Sequence, residues 1–72
     1  MRIRIRLDTM ADVNKFISVT SNISRDVKLE DNDGHCVSAK SLLGALASME
    51  WDTLYCYCDE DISSKISEFV LW

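Results

Sequence analysis

Arg2-Ile3-Arg4-Ile5-Arg6-Leu7 alternates polar and apolar positions without a break. A period of two predicts a strand, with Ile3, Ile5 and Leu7 on one face and the three arginines on the other. Asp8 and Thr9 are residue types that cap helix N-termini. Met10, Val13, Phe16, Ile17 and Thr20 then follow helical spacing, which predicts a first helix over about 9–21. Val27-Lys28-Leu29-Glu30 alternates again and predicts a second strand. Asp31-Asn32-Asp33-Gly34 is a dense turn signal, its Asp-Gly step favouring positive φ. A short third strand over about 35–39 forms the other arm of the hairpin, with Val37 and Ala39 inward.

Ser41 opens a short helix in which Leu42, Leu46 and Met49 make one stripe. Leu43 falls off that stripe and is expected on the surface. Thr53–Cys58 predicts a fourth strand, with Leu54, Cys56 and Cys58 on one face and Tyr55 and Tyr57 on the other. Asp59-Glu60-Asp61 suits the positive end of a helix dipole, and Ile62, Ile66, Phe69 and Val70 form the stripe of a final helix. The predicted order is βαββαβα. It implies an α+β two-layer, open-faced sandwich: a four-stranded, mainly antiparallel sheet with three helices on one face.

With 72 residues there is room for one core, so residues 1–72 are expected to form a single domain. A core of this size supplies only ~3–5 kcal/mol of net stability and leaves little room for a large catalytic pocket. No apolar run approaches the ~20 residues of a bilayer span. The alternating N-terminus is no signal peptide, and a cytoplasmic location is expected. A net charge of −4 and a pI near 4.7 argue against generic binding to nucleic acid or anionic membranes.

Three cysteines are an odd number, which argues against a disulfide framework. Cys36, Cys56 and Cys58 with His35 raise a metal reading. Zinc sites favour Cys-x₂₋₄-Cys, whereas Cys56-x-Cys58 on a strand points both thiols into the expected core, so neither metal nor cofactor is expected. His35, the single histidine, reads as a surface residue at a strand end. Arg2, Arg4 and Arg6 beside Tyr55 and Tyr57 suggest stacking on an open sheet, as in single-stranded RNA binders, or a solvated face of Arg–carboxylate pairs. The chain has no RNP1-like motif, and its acidic balance favours the solvated face. Asp8, Asp12, Glu30, Asp31 and Asp33 have no catalytic or metal-loop spacing. No Ser-His-Asp order, P-loop or GxGxxG occurs, and Trp51 and Trp72 read as packing or surface aromatics.

Ser38-Ala39-Lys40-Ser41-Leu42 resembles HPr, the small phosphocarrier of the bacterial sugar phosphotransferase system, at the beginning of its second helix. Val27-Lys28-Leu29, Asn32-Asp33-Gly34, Leu43-Gly44 and Asp59-Glu60-Asp61 resemble the corresponding family segments, and βαββαβα is the family's element order. The resemblance implies the HPr scaffold, with the first and fourth strands paired and the third and fourth apart. HPr carries its phosphoryl group on a His at the opening of the first helix, followed by Arg-Pro. Aligned without gaps, Thr9 stands at the His position, Ala11 at the Arg and Asp12 at the Pro. The imidazole and the guanidinium are both missing, and Asp8 and Asp12 would repel a phosphoryl dianion.

The resemblance also marks Ser41 as similar to the serine that a dedicated kinase phosphorylates in many Gram-positive HPr proteins. A phosphate there would meet helix N–H groups with Lys40 adjacent, while a plain N-cap serine is the simpler role. Leu42, Leu43 and Leu46 correspond to the helix that HPr presents to its partners; of these, Leu46 is expected in the core and Leu43 at a contact. The chain is thus expected to be no enzyme. It reads as a regulatory, protein-binding module similar to the catabolite-repression HPr-like proteins, its partners being phosphotransferase components, a kinase or a regulator. A phosphocarrier with a non-standard acceptor and a nucleic-acid-binding open sheet are the alternatives.

Overall fold

A computed structural model describes residues 1–71, so Trp72, read above as a packing or surface aromatic, lies outside the described residues. Strands β1 (Arg2–Arg4), β2 (Val27–Glu30), β3 (Cys36–Ser38) and β4 (Tyr55–Cys58) form one sheet in the order β1-β4-β2-β3. Every pairing is antiparallel, with Ile3 opposite Cys56, Leu29 opposite Cys56 and Leu29 opposite Val37. Helices α1 (Met10–Ser21) and α2 (Leu42–Ser48) are joined to it through one core. Val27, Leu29, Cys56 and Cys58 supply the sheet side of that core, and Val13, Phe16 and Ala45 the helix side. The opposite face carries Arg2, Arg4, Lys28 and Tyr57 into solvent. Arg2 is tied down there: its Nε lies 3.0 Å from the Glu30 carboxylate and its guanidinium 3.8 Å above the Tyr55 ring.

The expected third helix is not an α-helix. Ile62, Ile66, Phe69 and Val70 are all buried, as the stripe requires, but residues 63–65 form a turn and Ser67–Phe69 a single 3₁₀ turn. Two forces break the helix. The Asp61 carboxylate accepts from both the Ser63 N–H and its hydroxyl, a local bond that competes with helical pairing. The last residues are drawn out to β1: Arg6 N–H donates to the Phe69 carbonyl at 2.9 Å and Leu71 N–H to the Arg4 carbonyl at 3.0 Å. The C-terminal segment thereby covers the outer edge of β1, which an uncovered strand would leave open to aggregation. Phe69 meets Phe16 edge to face at 5.3 Å.

The stripe of α2 is also corrected. Leu42 is exposed rather than inward, Leu46 and Met49 are half-buried against the core, and the buried residues of the helix are Ala45 and Ser48. Gly44 shows why. A Cβ at this position would come within 3.1 Å of both the Ser38 carbonyl oxygen and the Val37 Cβ. The helix lies so close to β3 that only its small-residue side fits against the sheet. Gly44→Ala therefore destabilises the fold, even though Ala is favoured in a helix by roughly 1 kcal/mol. Overpacking costs about 1–3 kcal/mol, and the Ser38 backbone cannot move aside cheaply. A urea melt is expected to show a lowered midpoint; an unchanged or raised one would mean that α2 is not pinned by β3.

Strand β2 stands between β3 and β4, so Cys36 is separated from Cys56 and Cys58. Among the described residues, no three potential ligands gather as a metal site. Among the described residues, no helix is long and apolar enough to cross a membrane. Burial pushes the Cys56 thiol up to about 12, with the neighbouring Cys58 adding to the shift against a small opposing pull from the N-terminal amine. The thiolate is the nucleophile, and Cys56 and Cys58 are fully buried whereas Cys36 is exposed. Iodoacetamide at neutral pH is expected to alkylate Cys36 alone in the native protein, and all three after denaturation. Mass spectrometry reads the outcome.

Candidate functional site

Three places gather the residues singled out in the sequence. The first is the opening of α1, where Thr9 is the N-cap. Its hydroxyl accepts from the Asp12 N–H at 3.1 Å, and the Asp12 carboxylate accepts from the N–H groups of Thr9 and Asp8 at 3.2 and 3.1 Å. This capping box satisfies donors that would otherwise be available to an anion. Ala11, one residue before Asp12, is exposed and offers no polar group. The helix opening is thus filled by the chain's own carboxylate.

The second place is the opening of α2. Ser41 sits in an extended conformation (φ −95°, ψ 122°), and its Oγ accepts from the Gly44 N–H at 3.2 Å. Its carbonyl accepts from Ala45 N–H at 2.9 Å, so it is a full N-cap. The hydroxyl is on the surface. Lys40 extends elsewhere: its ammonium donates to the Ile23 carbonyl, just past the end of α1. Thr20, read in the sequence only as part of the α1 stripe, holds the same loop from inside. Its buried hydroxyl lies 2.9 Å from the Ala39 carbonyl and 3.0 Å from that of Phe16. Leu42 and Leu43 follow Ser41 directly, 44% and 80% exposed, with Leu46 half-buried one turn on. Two neighbouring leucines in water beside a surface hydroxyl, on a loop pinned from both sides, make a small apolar patch of fixed shape.

The third place escaped the sequence reading. Asp31 is almost wholly buried in the β2–β3 turn. Its Oδ1 accepts from the N–H groups of Asp33 and His35, at 3.0 and 2.8 Å, and its Oδ2 lies 2.6 Å from His35 Nδ1. Burial, the largest influence, raises the Asp31 pKa; the hydrogen bonds from the His35 ring and the two N–H groups, with the attraction of the imidazole, outweigh it. The carboxyl titrates below its ordinary value. An ionised carboxylate only accepts, so Nδ1 carries a proton. The ring also stacks on Trp51 at 5.5 Å, and Gly34, at φ +94°, closes the turn as its Asp-Gly signal predicts. Only the Asp-x-Asp-Gly-His spacing could have hinted at this cluster; the Trp51 partner lies on a distant loop.

No protein-family model and no curated protein sequence matches the chain. Among solved structures, the crystal structure of HPr-C-His from Thermoanaerobacter tengcongensis superposes with a TM-score of 0.66. The match covers 94% of this chain and 81% of that one at 18% identity. The fold is HPr-like. An HPr-like architecture therefore stands on a sequence with Ser41 at the opening of the second helix and Thr9 and Ala11 at that of the first.

Proposed function

We propose that this chain is a non-catalytic, HPr-like binding module related to the phosphotransferase system. It docks protein partners through Leu42, Leu43 and Leu46 and is modulated by phosphorylation of Ser41, with Lys40 fixing the loop that carries it. The observation that carries the proposal is a contrast between the two helix openings. At α1 the Asp12 carboxylate takes up the N–H groups of Asp8 and Thr9; at α2 a surface hydroxyl stands beside two exposed leucines. A phosphate on Ser41 would add about −1.5 to −2 charges next to that apolar patch and change which partner fits it. The expected partners are phosphotransferase components, a kinase or a regulator in the bacterial cytoplasm.

The test uses two labelling reactions. Phosphoenolpyruvate with the general phosphotransferase enzyme is expected to leave the protein unlabelled. ATP with HPr kinase is expected to label it, with the label lost in Ser41→Ala and reduced about tenfold in Leu43→Asp, as for an interface anchor. Equal labelling of Ser41→Ala would remove the site.

A second reading, phosphoryl carriage on a non-standard acceptor, is favoured by one observation. The His35 side chain is exposed while the Asp31 carboxylate engages its Nδ1. An acid-labile adduct from phosphoenolpyruvate that disappears in His35→Gln would replace the first reading with this one.

A further inference from the structure

We propose that Asp33 is a site of spontaneous covalent modification: its side chain cyclises onto the Gly34 amide and reopens as isoaspartate, releasing the clamp that Asp31 places on His35. Asp33 alone among the aspartates precedes a glycine; the others precede Thr, Val, Asn, Glu or Ile. A side chain on the following residue crowds its amide nitrogen, and glycine has none. Gly34 lies in open space, since a Cβ built on it would meet nothing within 4 Å. The hydrogen bonds of the turn single out the same amide. Asp31 N–H donates to the His35 carbonyl at 3.2 Å and Asn32 N–H to Thr53 Oγ1 at 3.3 Å. The N–H groups of Asp33 and His35 both donate to Asp31 Oδ1. Gly34 N–H, between them, donates to no acceptor among the described residues. Asp33 is exposed, and among the described residues its carboxylate makes no ion pair. Cyclisation needs a solvated amide and a solvated carboxyl, because neither then has a bond to break before they meet. Asn32 is the contrast. Its side-chain amide could react in the same way with the Asp33 nitrogen, but that N–H is held by Asp31 at 3.0 Å. The turn thus directs the chemistry to one peptide bond.

The steps need only water. The Gly34 nitrogen attacks Cγ of the Asp33 carboxylic acid; the N–Cγ bond forms, the bond from Cγ to the acid hydroxyl breaks, and that hydroxyl leaves with the amide proton as water. Water then opens the five-membered imide. Attack at Cγ restores aspartate. Attack at the backbone carbonyl leaves the chain running through Cβ and Cγ, with a free carboxylate on Cα and no net change in mass. The extra backbone carbon falls between the two N–H groups that share Asp31 Oδ1, at 3.0 and 2.8 Å. Both cannot keep that oxygen once the chain between them is longer. The His35 N–H bond is lost, and the ring loosens from Asp31 Oδ2 and from Trp51.

The test holds the folded protein at neutral pH and physiological temperature and samples it over weeks. Each sample is labelled with protein isoaspartate methyltransferase and radioactive S-adenosylmethionine, and the peptides are mapped. Label is expected to accumulate at residue 33 without a change in mass, and neither there nor elsewhere in Asp33→Glu, whose ring would have six members and closes far more slowly. Asn32 is expected to stay intact. In the isomerised fraction, hydrogen exchange at the His35 amide is expected to speed up. A parallel sample in urea separates the turn from the sequence. Label that appears only in urea would show that the turn protects this bond. That result, equal label at other aspartates, or unchanged His35 exchange in the isomerised fraction would each overturn the proposal.

Discussion

Phe16→Ala leaves most molecules unfolded at physiological temperature. Phe16 is fully buried and supports three parts of the structure at once: α1, the sheet, and the C-terminal segment through Phe69. Truncating a buried Phe costs about 3–5 kcal/mol, because the transfer energy is lost and the hole closes only in part. A core of this length supplies roughly the same amount, ~3–5 kcal/mol, in total. The variant is expected to lose its cooperative urea transition, or to shift it so far that no folded baseline remains. Phe69→Ala is expected to follow the same direction with a smaller shift, since Phe69 lies in a short 3₁₀ turn at the rim of the core. A Phe16→Ala midpoint close to that of the parent would show that the two aromatic rings do not form the centre of the core.

Asp31→Ala is expected to produce the second large effect, and its size depends on pH. The substitution removes the acceptor of the Asp33 and His35 N–H groups and releases the His35 ring. The folded-state pKa of Asp31 lies below its ordinary value of 3.8, so between the two values the unfolded chain binds more protons than the folded one. The stabilisation is fully present above the ordinary carboxylate range and is lost as the pH falls through the lowered folded value. The parent's Tm should therefore fall on acidification below about pH 4, the ordinary carboxylate range. That of Asp31→Ala should start lower at neutral pH and lose less over the same window. Parallel curves for the two proteins would place the acid sensitivity in other groups. The same variant should loosen Trp51, which a change in near-ultraviolet circular dichroism would report.

The period-two runs at residues 2–7, 27–30 and 53–58 located the strands because a sheet buried on one face imposes that alternation directly. The hairpin turn was equally legible, since Asp33-Gly34 requires a positive φ that few residues tolerate. Ser41 was legible as a cap for a similar local reason: its hydroxyl reaches a donor only three residues away. The final segment misled because its apolar spacing is helical and its burial is as expected. Asp61 and the pull of β1 on Phe69 and Leu71 then decided its backbone. The leucines of α2 misled in the opposite sense. Hydrophobicity alone assigns Leu42 to the core, whereas the close approach of the helix to β3 at Gly44 gives that place to Ala45 and Ser48.

Local pattern by itself determined the strands, the first helix and both caps, because each depends on neighbours within a few residues. Tertiary structure alone decided which side of α2 meets water, where the last segment lies, and that Trp51 stacks on the His35 ring. These outcomes depend on how near two distant backbones come, and on bonds between residues far apart in the chain, which no local spacing encodes.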